Sequence, residues 1–326
     1  MVCILKVLKK TFILVIAIIN SNFIIAQTCC SGGVPLSNNI GLPILEKGTI
    51  QLGLSYDYNN LNTLKEGTST IDDTARLRIT HSALLNFGYA ITNRLSVETL
   101  FTWVNQRRQI SQFGNVNLDQ ANGIGDAIIL GSYQFLEKPN YSFSSSFGFK
   151  LPTGSTNEKN KQGIILNADL QPGSNALDLI FTSSYIQKIS FRKSMSLNSK
   201  VTYRATGKNN NYLGSNTYKF GNEFQLLLTL SDHFSIKDQI ISLASRVKYR
   251  YVVKDNLNGN LISNTGGNWV FIEPRISLYI TPNIIFSTRL EVPLHSNVDG
   301  TQLTPTYRIN SGIAIKFNQK GKNNLL

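Results

Sequence analysis

From Thr49 to Tyr58 the chain reads TIQLGLSYDY. Ile50, Leu52, Leu54, Tyr56 and Tyr58 fall on one side of an extended chain, and Gln51, Gly53, Ser55 and Asp57 on the other. Side chains of a strand alternate between faces, so this is a strand with one apolar and one polar face. The same period of two recurs along the chain and predicts twelve strands, at 49–58, 76–91, 95–106, 123–135, 141–151, 174–187, 194–206, 217–230, 234–253, 268–280, 284–294 and 304–317. The apolar faces include Leu77, Ile79, Ala83, Leu85, Phe87 and Tyr89 of the second strand. They also include Tyr218, Phe220, Phe224, Leu226, Leu228 and Leu230 of the eighth, and Tyr307, Ile309, Ile313, Ile315 and Phe317 of the twelfth. The charges keep to the opposite faces: Asp57, Arg76, Arg78, Glu98, Asp126, Lys150, Asp178, Lys200, Arg204, Lys219, Glu223, Asp238, Arg246, Lys248, Arg250, Glu273, Arg275, Arg289, Glu291, Arg308 and Lys316. Lys237 alone falls on an apolar face, beside a turn, from where its stem can snorkel to an interface. In water a charge is cheap on either face. Facing lipid, a Lys or Arg at the bilayer midplane costs about 2–4 kcal/mol. The segregation therefore predicts an all-β fold, a single transmembrane antiparallel up-and-down β-barrel of about 12 strands.

The connections point the same way. Short ones at 92–94, 136–140, 188–193, 231–233 and 281–283 alternate with long ones at 59–75, 107–122, 152–173, 207–216, 254–267 and 295–303. The short ones carry turn chemistry, as in Thr92-Asn93-Arg94, Glu137-Lys138-Pro139-Asn140, Ser231-Asp232-His233 and Thr281-Pro282-Asn283. Outer-membrane barrels have short periplasmic turns and long outer loops, and an even strand number then puts both termini in the periplasm. Aromatic residues gather at both strand ends, with Tyr56, Tyr58, Trp103, Tyr203, Tyr218, Tyr249, Tyr251 and Tyr307 at the loop end. Tyr89, Tyr133, Phe135, Tyr141, Tyr185 and Phe317 gather at the turn end. Two such rings match the interfacial girdles of a barrel, although Tyr and Phe also favour strands in general.

A mean hydropathy near zero does not conflict with a membrane location, because a barrel hides its apolar residues at alternate positions. The N-terminus reads as a secretory signal over 1–26: Lys6, Lys9 and Lys10, then the apolar Thr11 to Ile19, then a cut after Ala26. A retained anchor helix is the alternative. The expected organisation is signal peptide 1–26, irregular periplasmic lead-in 27–48, barrel 49–318 and C-terminal tail 319–326, in the cell outer membrane of a Gram-negative envelope. Cys29 and Cys30 are adjacent, which strains a disulfide between them, and leaves lipidation or a bond to a partner chain open. No Cys/His spacing suggests a metal, and no cofactor is expected.

Four stretches resemble a known family. They are Gly125-Asp126-Ala127-Ile128-Ile129-Leu130-Gly131; Gly148-Phe149-Lys150-Leu151-Pro152-Thr153-Gly154-Ser155; Gln171-Pro172-Gly173-Ser174 with Asp178; and Tyr203-Arg204 through Gly221-Asn222-Glu223. The family is the outer-membrane transporter-like β-barrels named for the meta-pathway of phenol degradation. The overlap covers about Gly123 to Asp238. The resemblance implies passive transport of small hydrophobic or aromatic molecules across the outer membrane; the residues show no nucleophile elbow, phosphate loop or metal cluster, and no enzyme is expected.

The inward charges are the candidate working residues. Arg78, Glu98, Asp126, Lys150, Asp178, Lys200, Arg204, Lys219, Glu223, Arg246, Lys248, Arg250, Arg289, Glu291 and Arg308 are expected to line the lumen. Basic groups outnumber acidic ones, which favours an anionic permeant in any aqueous path. The other reading is a mutually paired network that shuts a narrow bore. Asp126 and Lys150 face each other from adjacent strands, either as a constriction or as a buried salt bridge. The glycines and prolines around them read first as structural, permitting bends and ending strand pairing. The expected partners are outer-membrane lipids and a small-molecule or anionic permeant. Nucleic acid is excluded, because the basic residues are spread over an interior face without an aromatic platform. Oligomeric state is not readable. A structural or adhesive barrel, closed inside and binding partners through loops 59–75 and 152–173, is the rival function. A lipid hydrolase built on His295-Ser296-Asn297 is a third, disfavoured because strand alternation would separate adjacent His and Ser.

Overall fold

The protein is described by a computed structural model covering residues 27–28, 46–112, 114–237 and 239–317. The expected signal segment 1–26, Cys29 and Cys30, most of the expected lead-in, Asp238 and the expected tail 319–326 lie outside the described residues. Twelve long strands form the wall: β1 (Ile50–Leu61), β2 (Arg76–Ala90), β3 (Leu95–Gln112), β4 (Ala127–Glu137), β5 (Tyr141–Leu151), β6 (Asp178–Ile189), β7 (Arg192–Ala205), β8 (Glu223–Ile236), β9 (Gln239–Val252), β10 (Gly267–Thr281), β11 (Ile284–Thr304) and β12 (Tyr307–Phe317). Each pairs antiparallel with the next, and β12 pairs with β1 to close the ring. Closure has a physical reason: an open edge in lipid would strand a row of backbone N–H and C=O groups without partners.

Burial is inverted relative to a water-soluble fold. On β1 the polar Gln51, Ser55 and Asp57 are buried, while Leu52, Leu54 and Tyr56 are exposed, Leu54 at 57%. The outward belt continues through Leu85, Phe101, Phe147, Phe181, Leu228, Val247, Ile276 and Ile309. Aromatic side chains flank it, with Trp103, Tyr203 and Tyr251 exposed at the loop end and Tyr133, Phe135, Tyr141 and Phe317 at the turn end.

Four strand limits differ most from expectation, each for a local reason. β3 runs on to Gln112, and Asn115–Ile124 folds back on it, so the connection read as a loop is a projecting hairpin. β8 runs on to Ile236, so Ser231-Asp232-His233 is strand rather than turn; Asp232 there pairs with Arg192 at 2.7 Å. The turn sits instead at Lys237, whose φ of 45° is left-handed. β11 runs on to Thr304, so 295–303 is strand rather than loop. From Val298 on it pairs with Thr63–Gly67, part of a hairpin from the first long connection. The strict alternation of long and short connections therefore stops at 305–306. Finally, β8 begins at Glu223 rather than 217.

The late start of β8 corrects two facing assignments. Tyr218 and Phe220 are not lipid-facing; both are buried among the long connections with Ala168. Lys219 leaves the lumen wall: it lies on Asn216–Lys219, which pairs with Asn256–Leu257 in a separate small sheet. The cause is Gly221. Its missing side chain lets the backbone press against the carbonyl of Val253, where a Cβ would overlap it.

Candidate functional site

Alternation on the wall strands turns the charged residues inward, and strand register then decides who meets whom. One group runs from β4 to β9. The Lys150 ammonium lies 2.7 Å from Asp126 and 3.2 Å from Asp178, and donates to the Ser174 hydroxyl. Arg204 stands 3.9 Å from Asp178 and 3.0 Å from Glu223, and Arg250 donates to Glu223 at 2.7 Å. Signs alternate along this row, so Lys150 and Arg204 each sit between two acids. Asp126 is the anchor. Its carboxylate accepts from the Gly154 N–H (3.0 Å), the Ser174 N–H (2.9 Å) and the Ser174 hydroxyl (2.6 Å). The glycines serve this junction. A Cβ on Gly154 would lie 2.5 Å from the Gly173 Cα, so the two backbones close only without side chains. Of the two readings of Asp126 and Lys150, the geometry is that of a buried, fully hydrogen-bonded salt bridge.

A second group lies on β9, β10 and β11. Glu273 is 0% exposed and faces Arg246 (3.1 Å), Lys248 (3.2 Å) and Arg289 (3.5 Å), while Lys248 also pairs with Glu291. A third pair, Arg308 with Asp57 at 2.8 Å, joins β12 to β1. Glu98 and Lys200 differ: both are half-buried, and each lies within electrostatic reach of the other without closing to a direct ion pair among the described residues.

Arg78 is fully buried and has an unexpected partner. It donates to the carboxylate of Asp169 at 2.8 Å, to the carbonyl of Asp169 at 2.5 Å and to Gln106 at 2.5 Å. Asp169 sits in a short 3₁₀ turn, Ala168–Leu170, of the connection 152–177. That connection dips into the mouth of the barrel, and Leu170 buries against Ala121 and Leu166. Nothing in the sequence singled out Asp169, Gln171 or Ser174 as lumen residues. An acid in a Gly/Asn-rich loop reads as solvated until an inward arginine is known to stand beneath it.

The neighbouring long connections cover this plug. Ala168 packs with Tyr218 and Phe220, and the Tyr212 ring lies 4.9 Å from that of Tyr218, tilted by 54°. The Tyr218 hydroxyl donates to Asp255 at 2.6 Å, and the Gly221 N–H donates to the same carboxylate at 2.7 Å. Burial pushes the Asp255 carboxyl up to about 6, with Asp169 adding to the rise and the two hydrogen bonds opposing it. His295 and Ser296 lie on one strand with opposite faces: His295 is exposed, and Ser296 is 3% exposed opposite Trp269. They do not converge as a nucleophile and base would.

Compared with known proteins, residues 52–307 match the family described as "Putative MetA-pathway of phenol degradation". No curated protein matches the chain. Among solved structures, an outer membrane channel from Pseudomonas putida is similar with a TM-score of 0.67 at 14% identity, over 87% of this chain and 100% of that one. The β-domain of the Bordetella autotransporter BrkA is similar with a TM-score of 0.50 at 9% identity, over 83% of this chain and 100% of that one. The transport unit of the Escherichia coli autotransporter AIDA-I has a TM-score of 0.50 at 10% identity, over 86% of this chain and 93% of that one. At such identities the likeness is one of fold.

Proposed function

Because the chain belongs to the MetA-pathway of phenol degradation family, whose profile spans most of its length, we propose that it is an outer-membrane barrel for passive transport of small molecules, hydrophobic or aromatic in class. The observation that carries this reading is the inverted burial: a continuous apolar belt outside and a charged, hydrogen-bonding wall inside a closed ring. Such a wall is needed only where polar groups or a permeant meet the interior. In this reading the short turns and both termini face the periplasm, and the plug 152–177 guards the outer side. Inward charges that make no ion pair among the described residues, Lys200 among them, set ion selectivity. The paired ones hold the bore in shape.

One observation favours a second reading. The Arg78–Asp169 contact and the Tyr218–Asp255 contact both close the outer mouth. A barrel that never opens would serve as a structural or adhesive protein working through its outer loops. Single-channel conductance of refolded protein in a planar bilayer separates the two. Transport by an open aqueous path requires a steady current, anion-selective in a salt gradient, whose reversal potential moves toward cations in Lys200→Glu. Silence from a barrel verified as folded overturns the aqueous path.

A further inference from the structure

Arg275 stands apart from the paired charges of the lumen. It lies on β10, where strand register places it directly opposite Arg289 of β11. Both side chains share the inward face with Glu273, two residues away. Like charges directly opposite on neighbouring strands destabilise a sheet. Among the described residues the acid beside them is already engaged, since the two oxygens of Glu273 serve Arg246, Lys248 and Arg289. Glu291, the next acid, is engaged by Lys248. Arg275 makes no ion pair or hydrogen bond among the described residues and is half-buried rather than enclosed. On the turn side of the two arginines the inward neighbours carry no acid. They are Ser277 and Ser287, which face each other across the ladder, and then Tyr279. Four cations, Arg246, Lys248, Arg275 and Arg289, thus share two carboxylates, and the surplus faces hydroxyl donors.

We propose that Arg275 and Arg289, with Arg246 alongside, form an oxyanion-binding site on the lumen wall that takes the carboxylate of a small organic acid. A guanidinium presents two parallel N–H donors that match the two oxygens of a carboxylate. The hydroxyls of Ser277 and Ser287 add neutral donors, and the ring of Tyr279 offers a flat apolar surface to the acid's body. The anion supplies the negative charge that the wall lacks and offsets the opposed arginines. The site deepens the transport reading and rests on it for its purpose, because a permeant held here sits midway along the path.

Calorimetric titration of the refolded barrel in detergent tests the site without requiring conduction. Sodium benzoate should bind, and its neutral amide, benzamide, should not. Arg275→Gln should weaken benzoate binding at least tenfold, with partial recovery in Arg275→Lys and no change in Arg94→Gln, a turn substitution. Inorganic phosphate binding as tightly as benzoate would keep the oxyanion site and identify its natural occupant as an inorganic anion. A second readout guards against a merely structural arginine: Arg275→Gln should leave the barrel as resistant to urea as the parent, or more so, because it removes a repulsion. Loss of stability, or benzoate binding that Arg275→Gln leaves intact, overturns the site. A silent bilayer with benzoate binding intact would remove the aqueous transport path and leave the site standing. Conduction without benzoate binding would do the reverse.

Discussion

At the scale of single residues, the interior is a set of charges whose worth depends on their partners. Glu273 is the clearest case. It is fully enclosed and faces three cations within 3.5 Å. Removing one member of a buried ion network strands the others, at a cost of about 3–5 kcal/mol. Glu273→Gln should therefore lower the urea midpoint of the barrel in lipid vesicles strongly, and a shift smaller than about 1 kcal/mol would show that water screens the group. That charges sit inward was legible from the period of two alone. Which acid meets which base was not. Asp126 with Lys150 was visible because both lie near facing strand ends, whereas Arg78 with Asp169 joins positions far apart in the chain through a loop that no local pattern orients.

At the scale of elements, the connection 152–177 and the loops above it decide whether the ring is a pore. Arg78→Ala removes the donor that holds the 3₁₀ turn in the mouth. Single-channel current should rise several-fold in that variant, with more frequent opening, and an unchanged current would show that the plug does not limit flow. The lid above it responds to pH through Asp255. Its carboxyl is raised by burial to about 6, against 3.8 in an opened lid. A closed lid thus holds the proton more tightly than an open one between those values. Its added stability is full below about pH 4 and is lost as pH rises through about 6, a difference of up to about 3 kcal/mol. Hydrogen exchange in 206–222 and 253–266, corrected for intrinsic rates, should be faster at pH 7.5 than at pH 4.5. Asp255→Asn should abolish that difference, and exchange independent of pH in the parent would refute the linkage. The strand extensions of β3, β8 and β11 belong to this scale too. Each arose where a partner segment, such as Thr63–Gly67 for β11, was available to continue the ladder.

At the scale of the whole molecule, the fold is set by which face of each strand tolerates lipid. Leu228 lies near the middle of β8 and points outward, 43% exposed, whereas Ser231 points inward and hydrogen-bonds Ser196. Leu228→Arg should cost about 2–4 kcal/mol on refolding into vesicles, and Ser231→Arg much less. Equal costs would mean that the belt does not face lipid. The twelve-strand barrel, its antiparallel order and the inward placement of charge were determined by the sequence itself, because a period of two is a local property that each strand declares independently. Tertiary structure alone decided the rest: that Tyr218, Phe220 and Lys219 leave the wall, that a loop acid plugs the mouth, and that Arg275 stands opposite Arg289. Those outcomes depend on loop return and ladder register, which are fixed only when distant segments compete for the same backbone partners and the same enclosed space.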